Sequence, residues 1–403
     1  MTVVLVVHDT PLPALDGMIA GEIAAERGAR FTTLVTGGAG HARFDCHIHV
    51  LVHGEMAPNG ALWAERASGR TVAAPVDRGA VARLTDDCVV VPINPHLPVQ
   101  AEARTRLLAT AAQAGRPVET YRVTEADGIL EVREEGSDVV LSLWRRDGYG
   151  RPFLVGTEPA EAAGKPLDIV FVADEACMRE VYPANLAALG DAAEALGLRL
   201  AVRFVDPRQF PEPAWERELA QADGLVLPGG SDMEQVRGQT EAARVAIRRN
   251  LPTLGLCLGM QTMATAVAQE ICGFNDANLA EADPSAQTKT FVRLHDEHGR
   301  PQHRLGLLPC RLVPGSQLAG LAGGAATMEV HYNHRFVLES ELQKRLSESG
   351  LTVSGWQDGR DLADAIEVPT LRFFIGMQGH PELSSRRGRP HPLFAGFLSA
   401  AGA

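Results

Sequence analysis

Short apolar runs rich in Val, Ile and Leu alternate along the chain with Ala-rich amphipathic stretches, the pattern of parallel strands covered by helices on both faces. The pattern occurs twice. In the first half, residues 2–8, 31–37, 46–53 and 88–94 read as strands, and helices are predicted around residues 13–27 and 101–114. Alternating apolar and charged positions over residues 129–146, centred on Gly136 and Ser137, predict a β-hairpin. The stretch DGYGRPFLVGTEPAEAAGKP follows, and its Gly, Pro and polar content reads as a linker. The second half restarts with LDIVFVAD, LRLAVRFVD, GLVLPGG and TLGLC, each followed by a helical pattern. The expected architecture is α/β in two domains, each a mostly parallel sheet covered by helices. We expect the domains at residues 1–150 and 167–403, joined by a linker at 151–166.

Composition narrows the functional classes. The 403 residues carry a net charge of -12, with 45% hydrophobic and 22% charged positions, which excludes disordered, collagen-like and membrane classes. The acidic balance, without clustered Lys and Arg, argues against nucleic acid or an anionic membrane surface as partner. No apolar run approaches the roughly 18 to 20 residues that span a bilayer, and TVVLVVHD follows the first Met without a charged leader, so a cytoplasmic chain is expected. The six cysteines are scattered with no CxxC pair, which argues against a zinc ribbon or disulfide framework.

One cysteine sits in a chemical context. In TLGLCLGMQ, Cys257 lies between Gly255 and Gly259 at the end of a predicted buried strand and ahead of a helix. A nucleophile there needs small neighbours because the turn is tight, and a helix N-terminus favours thiolate over thiol. A buried Cys between glycines is also a packing solution, so further elements must decide. Upstream, LPGG ends another strand, where a Gly N–H can point at a developing oxyanion with the Leu258 N–H as second donor. Downstream, GMQGHPE places His380 and Glu382 two apart, on one face if the segment is extended. Nucleophile, general base and orienting acid are then all present.

This ordered set resembles the glutaminase domain of CTP synthase, a class I glutamine amidotransferase of flavodoxin-like α/β type. The resemblance runs from about Asp168 to the C-terminus through PGG, GLCLGMQ, Ala277-Asn278, HRF at residues 334–336, GMQGHPELSS and HPLFAGF. It implies Cys257 as nucleophile, His380 as base, Glu382 as third member, and Gly230 and Leu258 as the oxyanion hole. It further implies that Gly229, Gln261, Glu281 and Arg335 hold L-glutamine. A zwitterion needs one anion and one cation, which agrees with the last two. Departures are PGGSD in place of PGGFG, so that Ser231 replaces an aromatic and Asp232 a glycine; an altered lid from Met233; QGHPE in place of QFHPE; and Leu279-Ala280 in place of Ser-Thr.

The first half does not continue that resemblance. Residues 1–166 contain neither G-x-x-x-x-G-K-[ST] nor G-x-G-x-x-G, and VTGGAGHAR lacks a Lys. In FDCHIHVLVHGE, Asp45, His47, His49, His53 and Glu55 would share a strand face. His47 and His53 would then stand roughly 20 Å apart at about 3.3 Å per residue, too far for one ion. A polar sheet face or subunit contact is expected there and a metal is not. His53 and Glu55, with Asp9, Thr10 and the turn Asn94-Pro95-His96, are expected to line the carboxyl edge of the first sheet. No cofactor is expected. The expected activity is hydrolysis of L-glutamine through a Cys257 thioester. Ammonia would pass to an unidentified acceptor, held by the first domain or by a separate ATP-using enzyme, in a specialised biosynthetic pathway. The alternatives are a stand-alone γ-glutamyl amide hydrolase and a non-catalytic regulatory subunit of a CTP-synthase-like ligase. Homo-oligomerisation is left open by the sequence.

Overall fold

The computed structural model describes residues 2–34, 48–81, 83–96, 98–160, 162–211 and 215–403. The chain divides into two compact units, Met1–Ala160 with Met178–Gly190, and Glu161–Cys177 with Asp191–Ala403.

In the first unit the apolar run at the start of the chain forms β1 (Thr2–Asp9). The other strands are β2 (Arg30–Phe31), β3 (Ile48–Val50), β4 (Met56–Pro58), β5 (Cys88–Ile93), β6 (Val118–Ala126), β7 (Ile129–Glu134), β8 (Val140–Arg146) and β9 (Pro152–Leu154). Seven of them form one sheet in the order β2-β5-β1-β6-β7-β8-β9. The pairings from β2 to β6 are parallel and those from β6 to β9 antiparallel. Val3 to Val7 are all essentially buried because β1 is central and covered on both faces, which is why its sequence is a continuous apolar run rather than an alternating one. The helices are α1 (Met18–Glu26), α2 (Asn59–Ser68), α3 (Arg78–Val81) and α4 (Pro98–Gln113). The helix expected over residues 13–27 is divided, because a short 3-10 turn at Pro13–Leu15 is followed by a left-handed Gly17 at φ 67° before α1 begins. Within the Gly- and Pro-rich stretch near residue 150, Pro152–Leu154 pairs with β8 and Phe153 is buried.

The His-rich run is corrected. Its strand ends at Val50, and a turn closed by Gly54 N–H donating to the Leu51 carbonyl at 3.0 Å follows. His49 and His53 therefore share no strand face. β3 pairs with β4 outside the seven-stranded sheet, so His53 and Glu55 do not end one of its strands. His49 is buried with its Nε2 2.8 Å from Glu65 Oε2, whereas His53 is exposed. Asp45, His47 and the VTGGAGHAR loop lie outside the described residues. Asp9 Oδ1 does meet His96 Nε2, at 3.2 Å.

The second unit is built on β10 (Leu167–Phe171), β11 (Leu200–Phe204), β12 (Gly224–Leu227), β13 (Thr253–Leu256), β14 (Phe291–Arg293), β15 (Arg304–Leu312), β16 (Thr327–His334), β17 (Phe336–Leu338), β18 (Thr352–Gln357), β19 (Ala363–Glu367) and β20 (Phe374–Met377). Nine strands form one sheet in the order β11-β10-β12-β13-β20-β19-β18-β15-β16. The half from β11 to β20 is parallel and the half from β20 to β16 antiparallel. β14 pairs with β17 separately. The α-helices after α4 are α5 (Ala184–Leu196), of which residues 184–190 belong to the first unit and 191–196 to the second, then α6 (Trp215–Ala220), α7 (Val236–Arg249), α8 (Leu258–Glu270), α9 (Gln317–Leu321), α10 (Ser340–Glu348) and α11 (Pro392–Ala401). Small residues let α7 and α8 approach the sheet closely, and Ala242, Ala243, Ala246, Ala264, Ala266 and Ala268 are fully buried in that core. In the antiparallel half, Arg304 and Asp364 form a buried ion pair with Nη2 and Oδ2 3.0 Å apart. Tyr332 donates its hydroxyl to the same Asp364 at 2.8 Å, and the guanidinium lies 4.0 Å from its ring centroid. Both carboxylate oxygens thereby accept hydrogen bonds, which is what a buried charge requires.

Candidate functional site

β12, β13 and β20 are adjacent and parallel, so their carboxyl ends lie side by side. One part of the predicted site leaves each of them: Gly229 and Gly230 follow β12, Cys257 follows β13, and His380 follows β20. Cys257 adopts φ 52° and ψ -106° as the residue capping α8, a left-handed turn that few non-glycine residues occupy. Its N–H donates to the Met377 carbonyl at 2.8 Å, which fastens the turn to β20. The side chain is 9% exposed at the α8 N-terminus.

Glycines make the approach of these elements feasible. A Cβ on Gly259 would sit 1.9 Å from the Leu227 carbonyl oxygen, so only glycine lets α8 press against the end of β12. A Cβ on Gly229 would lie 3.1 Å from Cys257 Cβ and 3.3 Å from His380 Cε1. Three residues predicted from separate motifs thus converge at one point. Gly230 and Leu258 donate their N–H groups to no acceptor among the described residues, leaving both available to a ligand.

His380 and Glu382 meet, although not on the extended segment expected from their spacing. His380 caps a 3-10 turn, Pro381–Ser384, and Glu382 lies inside it. Proline at the first position of that turn fixes its φ and stops the segment from continuing as a strand. The His380 Nδ1 to Glu382 Oε1 distance is 2.8 Å, with Glu382 fully buried and His380 13% exposed. The His380 N–H donates to the His331 carbonyl at 2.7 Å. Burial pulls the imidazolium down, but the Glu382 carboxylate and Cys257, which also hydrogen-bonds the ring, outweigh it and hold the His380 pKa well above the ordinary histidine value.

Of the residues expected to hold glutamine, Gln261 is buried on α8 and donates to Gln378 Oε1 at 3.3 Å. Glu281 and Arg335 are exposed and within electrostatic reach of each other. Partial desolvation by its surroundings raises the Glu281 carboxyl pKa, against the lowering pull of Arg293 and Arg335. Two further residues enter the site that the motifs did not single out. Gln378 donates to Cys257 Sγ at 3.8 Å, and its place two residues before His380 in GMQGHPE was the available signal. Arg293 lies 5.5 Å from the Phe336 ring centroid, beside the HRF motif, and no local spacing in the sequence marks it. The altered lid is a polar turn: Asp232 caps Met233–Gln235 by accepting from Glu234 N–H at 3.0 Å, and its Oδ2 lies 4.0 Å from Arg208. No group of three or more potential metal ligands occurs among the described residues. Nor is any helix there long and apolar enough to cross a membrane.

Residues 180–400 match the family model described as glutamine amidotransferase class-I. Among curated proteins, CTP synthase of Acaryochloris marina is 34% identical over 238 residues, covering 58% of this chain and 43% of its own length. CTP synthase of Synechococcus sp. is 35% identical over 239 residues, covering 58% and 44%. The chain thus spans less than half the length of these relatives, and the match lies in its C-terminal part. Among solved structures, the glutaminase domain of Trypanosoma brucei CTPS with bound acivicin superposes with a TM-score of 0.55 at 27% identity, covering 59% of this chain and 94% of that one. The family model accounts for more than half of the 403 residues and matches the part of the chain that carries the convergent site, so the chain belongs to the class I glutamine amidotransferases.

Proposed function

We propose that the chain hydrolyses L-glutamine to glutamate and ammonia through a γ-glutamyl thioester on Cys257. The observation that carries this reading is the convergence of the left-handed Cys257 turn with the His380–Glu382 pair and the uncovered N–H groups of Gly230 and Leu258. In the first half-reaction the Cys257 thiolate attacks the side-chain amide carbon, and the two N–H groups stabilise the oxyanion. His380, protonated through its partnership with Glu382 and Cys257, gives its proton to the departing nitrogen as the C–N bond breaks. In the second, His380 takes a proton from water as the water attacks the thioester, and glutamate leaves with the thiol restored. Glu281 and Arg335 supply the anion and cation for the two charged groups of the amino acid.

Ammonia then passes to an acceptor on a separate ATP-using partner, a reading supported by the lack of a phosphate-loop motif in residues 1–166. The test is glutamate release by the purified chain, with Cys257→Ala as control. Loss of release in that variant, together with covalent labelling of the native chain by acivicin, is expected. Full activity of Cys257→Ala would refute the mechanism. The polar lid at Ser231 and Asp232 favours a second reading, hydrolysis of a γ-glutamyl amide with a larger amine portion. A kcat/KM for glutamine far above that of γ-glutamyl conjugates would exclude it.

A further inference from the structure

We infer that Gln239 is a positioning residue that couples the two oxyanion-stabilising N–H groups to each other, an inference that rests on the glutaminase reading above. Gln239 lies on α7 and is completely buried. Its amide nitrogen donates twice, to the carbonyl of Val172 just beyond β10 at 3.3 Å and to the carbonyl of Pro228 at 3.2 Å. Its amide oxygen lies 3.4 Å from the Thr262 hydroxyl on α8. One side chain therefore holds the loop that carries Gly230 and the helix that begins at Leu258.

The Pro228 carbonyl belongs to the peptide plane that joins Pro228 to Gly229, directly ahead of the plane that carries the Gly230 N–H. Two consecutive glycines offer little resistance to rotation of the peptides around them, so this loop does not hold its N–H direction unaided. Gln239 fixes the plane from the buried side, where neither substrate nor water competes for the carbonyl. The bond to Val172 ties the same amide to the sheet, so the loop cannot shift without leaving two buried carbonyls unpaired. The single Thr262 hydroxyl proton is shared between the Gly259 carbonyl at 3.0 Å, in the first turn of α8, and the Gln239 amide oxygen at 3.4 Å, and it is the second of these contacts that meets the start of the helix with the same amide. Oxyanion stabilisation depends on donors fixed before charge develops, so the energetic effect of Gln239 falls on the transition state rather than on glutamine binding.

The experiment compares wild type with Gln239→Met and Gln239→Glu, both near-isosteric and both lacking the amide donor. Two rates are measured: glutamine hydrolysis, which passes through an oxyanion, and alkylation of Cys257 by iodoacetamide, a direct displacement that forms none. The expected result is a fall in kcat of at least about 10-fold, with KM and the alkylation rate within about 2-fold of wild type. A general loss of structure would lower hydrolysis and also shift the alkylation rate outside that range in either direction, and that outcome would overturn the positioning role. If either variant fails to fold, Thr262→Val removes the tie to α8 and is expected to show the same split to a smaller degree. Variants with wild-type kcat would overturn this inference alone. A wild-type chain that alkylates yet releases no glutamate would overturn the glutaminase reading and this inference with it.

Discussion

Replacing Glu382 by Gln separates the charge of the third site residue from its shape. The amide fits the same space and can still accept from His380 Nδ1, which stands 2.8 Å from Oε1, but it carries no charge. Burial acts against the His380 imidazolium, and Glu382 and Cys257 hold its pKa well above the ordinary value of about 6.5 in spite of it. Removing a carboxylate in direct contact with a cation lowers the pKa of the cation by about one to three units. On the proposed mechanism, therefore, the wild-type imidazolium that protonates the leaving nitrogen persists to higher pH than that of an ordinary histidine. In Glu382→Gln the alkaline limb of kcat/KM for glutamine moves toward neutrality by that amount. Stability follows the same sign. A group whose folded pKa is raised contributes stability that is fully present below its unfolded value, near 6.5, and is lost as pH rises through the folded one. Each unit removed corresponds to about 1.4 kcal/mol, so Glu382→Gln should lose about 1 to 4 kcal/mol near pH 6 and progressively less toward alkaline pH. Glutamate release over pH 6 to 10 and urea unfolding at both extremes measure the two effects. An alkaline limb at the same pH in both proteins would refute the electrostatic account of the dyad.

Two other outcomes test the packing that shapes the unit. Gly229→Ala places a methyl 3.1 Å from Cys257 Cβ and 3.3 Å from His380 Cε1, so both groups must yield by a few tenths of an ångström. A fall of about 10-fold in kcat/KM with little change in melting temperature is expected, and an unaffected rate would show that the thiol and imidazole tolerate the displacement. Arg304→Met strands the Asp364 carboxylate in a fully buried position and should cost about 3–5 kcal/mol in urea unfolding, with much of it recovered in the double variant Arg304→Met/Asp364→Leu. A single variant as stable as wild type would remove the buried pair from the account of how the antiparallel half is held.

The strands β10 to β13 and the two strand ends at β12 and β13 were legible because each is a short apolar run, and the last two lead into glycine. GLVLPGG and TLGLCLG name their own turns; the crowding at Gly259 explains why no other residue serves there, and at Gly229 a side chain would have to displace Cys257 and His380 by a few tenths of an ångström. The His380–Glu382 contact was also legible, but its backbone was not: a spacing of two fits an extended strand or a 3-10 turn, and Pro381 decides for the turn. Contacts between distant segments left no local trace. Gln378 reaching Cys257, Arg293 beside Phe336, and Arg304 paired with Asp364 sixty residues away depend on the sheet order, which periodicity does not encode. The His-rich run misled for the opposite reason. Its alternation suggested one long strand, whereas burial of His49 against Glu65 and the turn at Gly54 end the strand at Val50.

Two of the departures from the CTP synthase pattern, Ser231 and Asp232, fall on a structurally separable part of the site. Cys257, His380 and the Gly229-Gly230 turn are carried on the ends of three adjacent strands, and their positions follow from sheet register and from the close approach of α8. Ser231 and Asp232 instead begin the segment that leaves the sheet for α7. There Asp232 caps the 3-10 turn, and Arg208 links Asp174 and Asp206 within reach of Asp232. An aromatic side chain at Ser231 would add apolar contact area to a bound ligand, whereas a serine and a capped aspartate leave hydroxyl and carboxylate groups at that position. Changes at these two residues therefore alter the polarity beside the site without moving the strand ends that carry Cys257, His380 and the Gly229-Gly230 turn. On the proposed mechanism, the groups assigned to amide cleavage are set by the sheet, and the segment after Gly230 is where their surroundings vary.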